Sequence, residues 1–195
     1  MKRFSIPFLA LLMVLFVAGC GQESGDSGKT DAGTGTANTD NTTVTDNNDG
    51  PKEASKTTSY NLADKGIPVT LNGPAGAEVK KGLMSGELAG HTIYDWDIVK
   101  DNFVVNVNMI DIDVDEGQTA ESLYKDWMDQ TKSEAGFEMV MEEGNGAVYK
   151  TNEGYDFYLV HVKDNREISF TTGLTFNDLT EDDVKAMYNA SKAAN

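Results

Sequence analysis

The chain has 195 residues, with 32 Asp and Glu against 16 Lys and Arg, so its formal net charge is −16. A chain this acidic lacks the basic face that nucleic-acid phosphates require and the polybasic patch that anionic headgroups attract. Its single cysteine, Cys20, excludes an intramolecular disulfide framework and any zinc site built from several cysteines.

Met1-Lys2-Arg3 is a short positive start, and an apolar run follows from Phe4 to Val17. Spanning a bilayer takes roughly 20 apolar residues, so this run suits the core of a signal peptide better than a membrane helix. It ends in Val17-Ala18-Gly19-Cys20, which resembles the bacterial lipobox: an aliphatic residue, two small residues and the cysteine that lipoprotein processing modifies. The resemblance implies that residues 1–19 are a signal peptide cleaved before Cys20. It also implies that the Cys20 sulfur takes a diacylglyceryl group and that the new amino terminus is acylated, for instance by palmitate. One acyl chain binds membranes marginally, whereas two or three hold firmly. The expected location is extracytoplasmic, with Cys20 as a lipid anchor in a bacterial membrane. Gly21 in place of Asp leans toward the outer membrane where there is one.

Residues 20–57 carry the anchor cysteine and then a Gly-, Thr-, Asn- and Asp-rich tract. From Gly21 to Thr57 its apolar side chains are Ala32, Ala37, Val44, Pro51 and Ala54. Such a tract buries too little apolar surface to offset the entropy of ordering its backbone, so a disordered tether is expected. As a Gly-rich coil it would reach roughly 30–40 Å.

Residues 58–195 hold 25 acids and 11 bases, a net charge of −14. A domain of this size buries roughly two-thirds of its unfolded surface and needs neither disulfide nor metal to stand. Ile67, Val69 and Leu71 alternate up to the turn Asn72-Gly73-Pro74, and Ala77 to Lys81 is a second short strand. Thr92, Tyr94, Trp96 and Ile98 line one face of a third strand, with Asp95 and Asp97 reading as the wet face of a sheet edge. Lys100-Asp101-Asn102 turns into a strand from Phe103 to about Ile112.

Thr119 caps a helix running to about Ser133, whose pairs Leu123/Trp127 and Tyr124/Met128 make one apolar face. Phe137, Met139 and Met141 open another strand, Asn145-Gly146 is a hairpin turn, and Ala147 to Thr151 returns. Tyr155 to Lys163 is apolar on both faces, as a strand covered from two sides should be. After Asp164-Asn165, the residues Ile168, Phe170, Leu174 and Phe176 form a last strand. Thr180 with Asp183 resembles a capping box, opening a helix that presents Val184, Met187 and Tyr188.

Hairpin-length connections imply an α+β fold whose antiparallel sheet carries helices packed on both faces. Gly66-Ile67-Pro68-Val69, leading through Pro74 to Ala77-Glu78-Val79, together with the element order and the closing helix, resembles the PsbP-like family. The resemblance implies an α/β/α sandwich and a role in binding proteins or assisting assembly, and it carries no shared catalytic set.

Motifs for chemistry are sparse. His91 and His161 are the two histidines, and His161 alternates with Leu159 as a structural residue would. Gly82-Leu83-Met84-Ser85-Gly86 has the wrong spacing for a nucleophile elbow. Asp111-Ile112-Asp113-Val114-Asp115-Glu116-Gly117 resembles the start of a calcium loop. However, its glycine comes one place late and Ser122 stands where a bidentate glutamate belongs. A solvated strand end explains the cluster better. No catalytic residue, cofactor or metal ligand is assigned. The expected function is a lipid-anchored, non-enzymatic protein-binding or assembly domain of the cell envelope, whose partner is an envelope protein. The alternatives are an envelope hydrolase working through carboxylates in a cleft, discriminated by two acids of divergent pKa in one pocket, or a weak calcium-binding module.

Overall fold

The computed structural model describes residues 56–173 and 178–195. Two strands, β1 (Thr57–Asn61) and β2 (Thr70–Pro74), pair as a separate antiparallel ribbon. The main sheet is built from β3 (Glu78–Lys81), β4 (Gly86–Leu88), β5 (His91–Lys100), β6 (Phe103–Asp113), β7 (Glu138–Glu143), β8 (Gly146–Thr151), β9 (Gly154–Lys163) and β10 (Arg166–Thr172). Its strand order is β3-β5-β6-β10-β9-β8-β7, with β4 joined to β5 beside β3, and every pair is antiparallel. Most neighbours are sequential hairpins. The β6–β10 pairing is the one that closes across the helix α1 (Ala120–Thr131) and two further hairpins.

Both helices begin where their capping residues dictate. Thr119 Oγ1 accepts from the Ser122 N–H at 3.2 Å, and Ser122 Oγ accepts in return from the Thr119 N–H at 2.9 Å. Thr180 and Asp183 do the same at the start of α2 (Glu181–Lys192). Thr119's partner is a serine where a capping box usually has Glu or Gln; a hydroxyl reaches the same N–H. Ser122, which occupies the twelfth place of the calcium-loop pattern, is therefore committed to the helix cap.

The expected α/β/α sandwich, a sheet with helices packed on both faces, is not the fold. Of the described residues 49% are strand and 20% helix, so the domain is mainly antiparallel sheet. A 12-residue helix is about 18 Å long and 10 Å wide, whereas seven hydrogen-bonded strands span about 29 Å. One such helix cannot form a covering layer. Tyr124 and Met128 of α1 pack with Tyr149, Tyr158 and Val160, with Met139 beside them, and so cover only the β7–β8–β9 end of the sheet. The same side of β5, β6 and β10 presents Asp97, Asn106, Asn108, Ser169 and Thr171, all part-exposed. Two-sided apolar patterning in β9 is a local property of that strand and does not extend across the sheet.

The larger core lies on the opposite side. There Ile98, Val105, Val107, Ile168, Phe170, Phe157 and Leu159 meet Val184, Met187 and Tyr188 of α2, together with Leu62, Ile67 and Leu71 from the N-terminal ribbon and its loop. β1 is absent from the strand pattern of the sequence because Thr57-Thr58-Ser59-Tyr60-Asn61 is almost wholly exposed and offers no alternation. The β7–β8 turn sits one residue earlier than Asn145-Gly146, at Gly144-Asn145, because Gly146 is already in β8 and buried under Tyr188. The expected strand residues Leu174 and Phe176 lie outside the described residues. No described helix is long and apolar enough to cross a membrane.

Candidate functional site

The acidic run at the end of β6 is the first group to place. Asp111 and Asp113 stand two residues apart, so their side chains leave the same side of the strand. Arg166, opposite them at the start of β10, donates from Nε to Asp111 at 2.9 Å and from Nη1 to Asp113. Asp115 lies beyond the strand, where its backbone N–H donates to Gln118 Oε1 at 2.9 Å. The counter-charge that calcium would bring is already supplied by a guanidinium, and among the described residues no group of three or more potential ligands is placed to hold a metal. Millimolar calcium and matched magnesium should therefore raise the melting temperature equally, by screening an acidic domain. A calcium-selective shift lost in Asp113→Asn would mean that a cation displaces Arg166. Arg166 is the only arginine after Arg3. That rarity was the one sequence clue to its role.

A shallow cleft of about 290 Å³ adjoins this pair, lined by Ala63, Gly66, Pro68, Tyr94, Met109, Asp111, Asp164 and Arg166. Gly66 has a φ of +91°, and a Cβ there would collide with the Tyr94 ring, so glycine lets the N-terminal loop close over β5. His91 Nδ1 lies 3.0 Å from the Asp111 carbonyl oxygen. A second hollow of about 200 Å³ lies between α1 and Glu142.

Asp95 and Asp97 do not form the wet face of an edge strand. β5 has neighbours on both sides, and Asp95 is 2% exposed. The segment after β3 folds over it: the Met84 N–H donates to Asp95 Oδ2 at 2.7 Å, and Asn106 Nδ2 donates to Oδ1 at 2.5 Å. Asn106 Nδ2 also lies 2.8 Å from Asp97 Oδ1, bridging the two acids. Burial pushes the Asp97 carboxyl above its usual range, Asn106 opposes that, and the neighbouring Asp95 charge adds to it. Buried carboxylates are costly unless their oxygens are met by donors, and here they are met.

A third set pairs tyrosines with acids around α1. Tyr124 donates to Glu142 at 2.8 Å, Tyr149 to Asp156 at 3.0 Å and Tyr158 to Glu167 at 3.2 Å. Burial pushes the pKa of all three hydroxyls above the usual tyrosine value and keeps them protonated, and the adjacent carboxylates reinforce this. Asp156 Oδ1 accepts from Thr172 Oγ1 at 2.6 Å and from the Phe157 N–H at 2.6 Å. Glu167 is pushed up by burial, with Tyr158 opposing, and His161 is pushed down by burial and by Lys163. His161 packs at 5.1 Å from the Phe170 ring, as a structural histidine.

These shifts fix a pH dependence. A carboxyl whose folded value lies above the unfolded 4.5 stabilises the fold fully below 4.5, and that contribution is lost as pH rises through the folded value. Glu167→Gln should thus stabilise the domain at pH 7, with the gain vanishing toward pH 4. His161 acts in the opposite sense, its contribution lost as pH falls through 6.5. Thermal melts of parent and variant across pH 4–8 decide the matter. A parent more stable than Glu167→Gln at pH 7 would contradict it.

Cys20, the expected lipidation site, lies outside the described residues, as does the tract that follows it to residue 55. The PsbP-like resemblance has no support from comparison: family models, curated proteins and solved structures all return no match.

Proposed function

We propose that this chain is a lipid-anchored protein of a bacterial cell envelope, held through Cys20, whose folded domain binds another envelope protein without catalysing a reaction. The anchor rests on the tripartite segment ending in Val17-Ala18-Gly19-Cys20. What supports binding over hydrolysis is the state of the acids. Asp95, Asp97, Asp156 and Glu167 each accept fixed hydrogen bonds from neighbouring side chains or backbone, and Asp111 and Asp113 are tied to Arg166. A general acid or base needs an oxygen free to reach a substrate proton. These oxygens are engaged in holding strands and loops together.

The mass of the membrane-extracted protein should exceed that of the bare 20–195 chain by two or three acyl chains. An unmodified mass, or membrane retention that survives Cys20→Ala, would refute the anchor. Proximity crosslinking in the native envelope should recover one dominant protein partner. Turnover of an envelope polymer by the purified chain, lost in Asp95→Asn, would favour the hydrolase instead.

A further inference from the structure

The segment joining β3 to β4 combines a buried acidic clamp with outward apolar side chains. β3 pairs with Trp96 to Val99 of β5, and β4 pairs with His91 to Ile93 on that same edge. Between them the chain leaves the edge and passes over Asp95. The Gly82 N–H donates to the Asp95 carbonyl at 2.8 Å, the Met84 N–H to its carboxylate at 2.7 Å, and Ser85 Oγ to its carbonyl at 2.6 Å. Gly82 sits so close over the carboxylate that a Cβ there would collide with it. The strap is thus clamped by a carboxylate that is itself 2% exposed.

What the clamp holds outward is apolar. Leu83 is 78% exposed, Met84 37% and Leu88 39%, which makes three of the five large apolar side chains exposed among the described residues. A single exposed leucine is ordinary, but two on the loop and a third in β4, within six positions, concentrate exposed apolar surface along this edge. Along the segment itself Glu78 and Glu87 are matched by Lys80 and Lys81, and the carboxylate beneath it, Asp95, is covered by the strap. On a domain of net charge −14 this apolar crest is suited to a surface that accepts apolar side chains. Because the backbone of the strap is already ordered, burial adds only the side-chain share of the entropy cost.

The chain enters the domain at the far end of β3 from the strap. Thr57 pairs with Pro74, and the Ala75 N–H donates to the Lys56 carbonyl at 2.7 Å. From Ala75 to Leu83 a fully extended chain spans at most about 29 Å. Residues 21–55 number thirty-five, a length of chain that can span at most about 126 Å. An anchor at Cys20 therefore holds the crest within reach of the lipid surface.

We propose that the strap Gly82–Leu88 is a lipid-docking tip, which inserts Leu83 and Met84 into the interface of the membrane that carries the anchor. The proposal rests on the lipid-anchor reading. Docking would turn the domain's freedom on its tether into a fixed orientation, with the crest toward the membrane and the β7 edge away from it.

The test uses the full lipidated chain in phosphatidylcholine vesicles, with a nitroxide on the thiol introduced by Leu83→Cys. Lipidation consumes the Cys20 sulfur, so one label per chain is expected. Collisions with oxygen and with a water-soluble nickel chelate report depth, and Glu153→Cys, exposed on the β8–β9 turn at the other side of the sheet, is the reference. At position 83 the nickel collision rate should be several-fold lower than at 153, and oxygen should dominate. Adding Met84→Asp and Leu88→Asp should return the label to water. Equal nickel access at both positions would overturn the tip, as would protection at position 83 only in native envelopes and not in vesicles, which would indicate a protein partner. Two labels per chain would refute the anchor instead. The same depth measurement on the Cys20→Ser chain with added vesicles would then still decide the tip.

Discussion

Replacing Tyr188 by alanine is expected to cost about 3–5 kcal/mol, a large share of the roughly 5–15 kcal/mol that holds a typical domain folded. Tyr188 is fully buried at the centre of α2, edge-on to Phe157 with ring centres 6.2 Å apart. Its seat is shaped for it: a Cβ on Gly146 would come within 2.9 Å of the ring. Alanine leaves a cavity that a β-sheet on one side and a helix on the other cannot close. Tyr188→Phe is the control. It removes only the hydroxyl's 3.3 Å bond to the Glu143 carbonyl and should cost less than about 1 kcal/mol. Urea unfolding of the three chains, with unchanged slope, would measure both. A small loss in Tyr188→Ala would mean that α2 is not docked as described.

The second large effect belongs to the other side of the sheet. Trp127 stacks on Tyr158 with ring centres 4.0 Å apart and 7° between the planes, and it tilts against Tyr149 at 5.7 Å. It is part-exposed, so Trp127→Ala should fall near the lower end of the large-to-small range, about 3 kcal/mol. A loss below about 1 kcal/mol would put its ring at the surface as a platform for a ligand. The two substitutions act in separate apolar clusters and should combine additively within about 0.5 kcal/mol.

Asp95 shows what local pattern leaves out. In sequence it alternates with Asp97 opposite Tyr94 and Trp96, the pattern of a half-exposed strand, and an aspartate there reads as solvated. Its burial comes from Gly82 and Met84, thirteen and eleven residues away, whose strap has no periodicity to announce it. Arg166 is a similar case. The Asp111–Asp115 run suggests a cation, and the cation proves to be a side chain fifty-five positions on, brought across by β10.

What the sequence determined by itself was whatever depends on neighbours along the chain. Thr119 and Thr180 start their helices because a side-chain oxygen meets an N–H three residues ahead. The turns at Asp101 and at Asp164-Asn165 lie where residues tolerate positive φ. The apolar run on both faces of β9 marks a strand packed from two sides. Only the tertiary structure decided that β10 lies between β6 and β9, that α1 covers part of one side instead of a whole face, and that Asp95 clamps a strap with an apolar crest. Those outcomes depend on which distant surfaces meet, and local propensity and periodicity carry no term for that meeting.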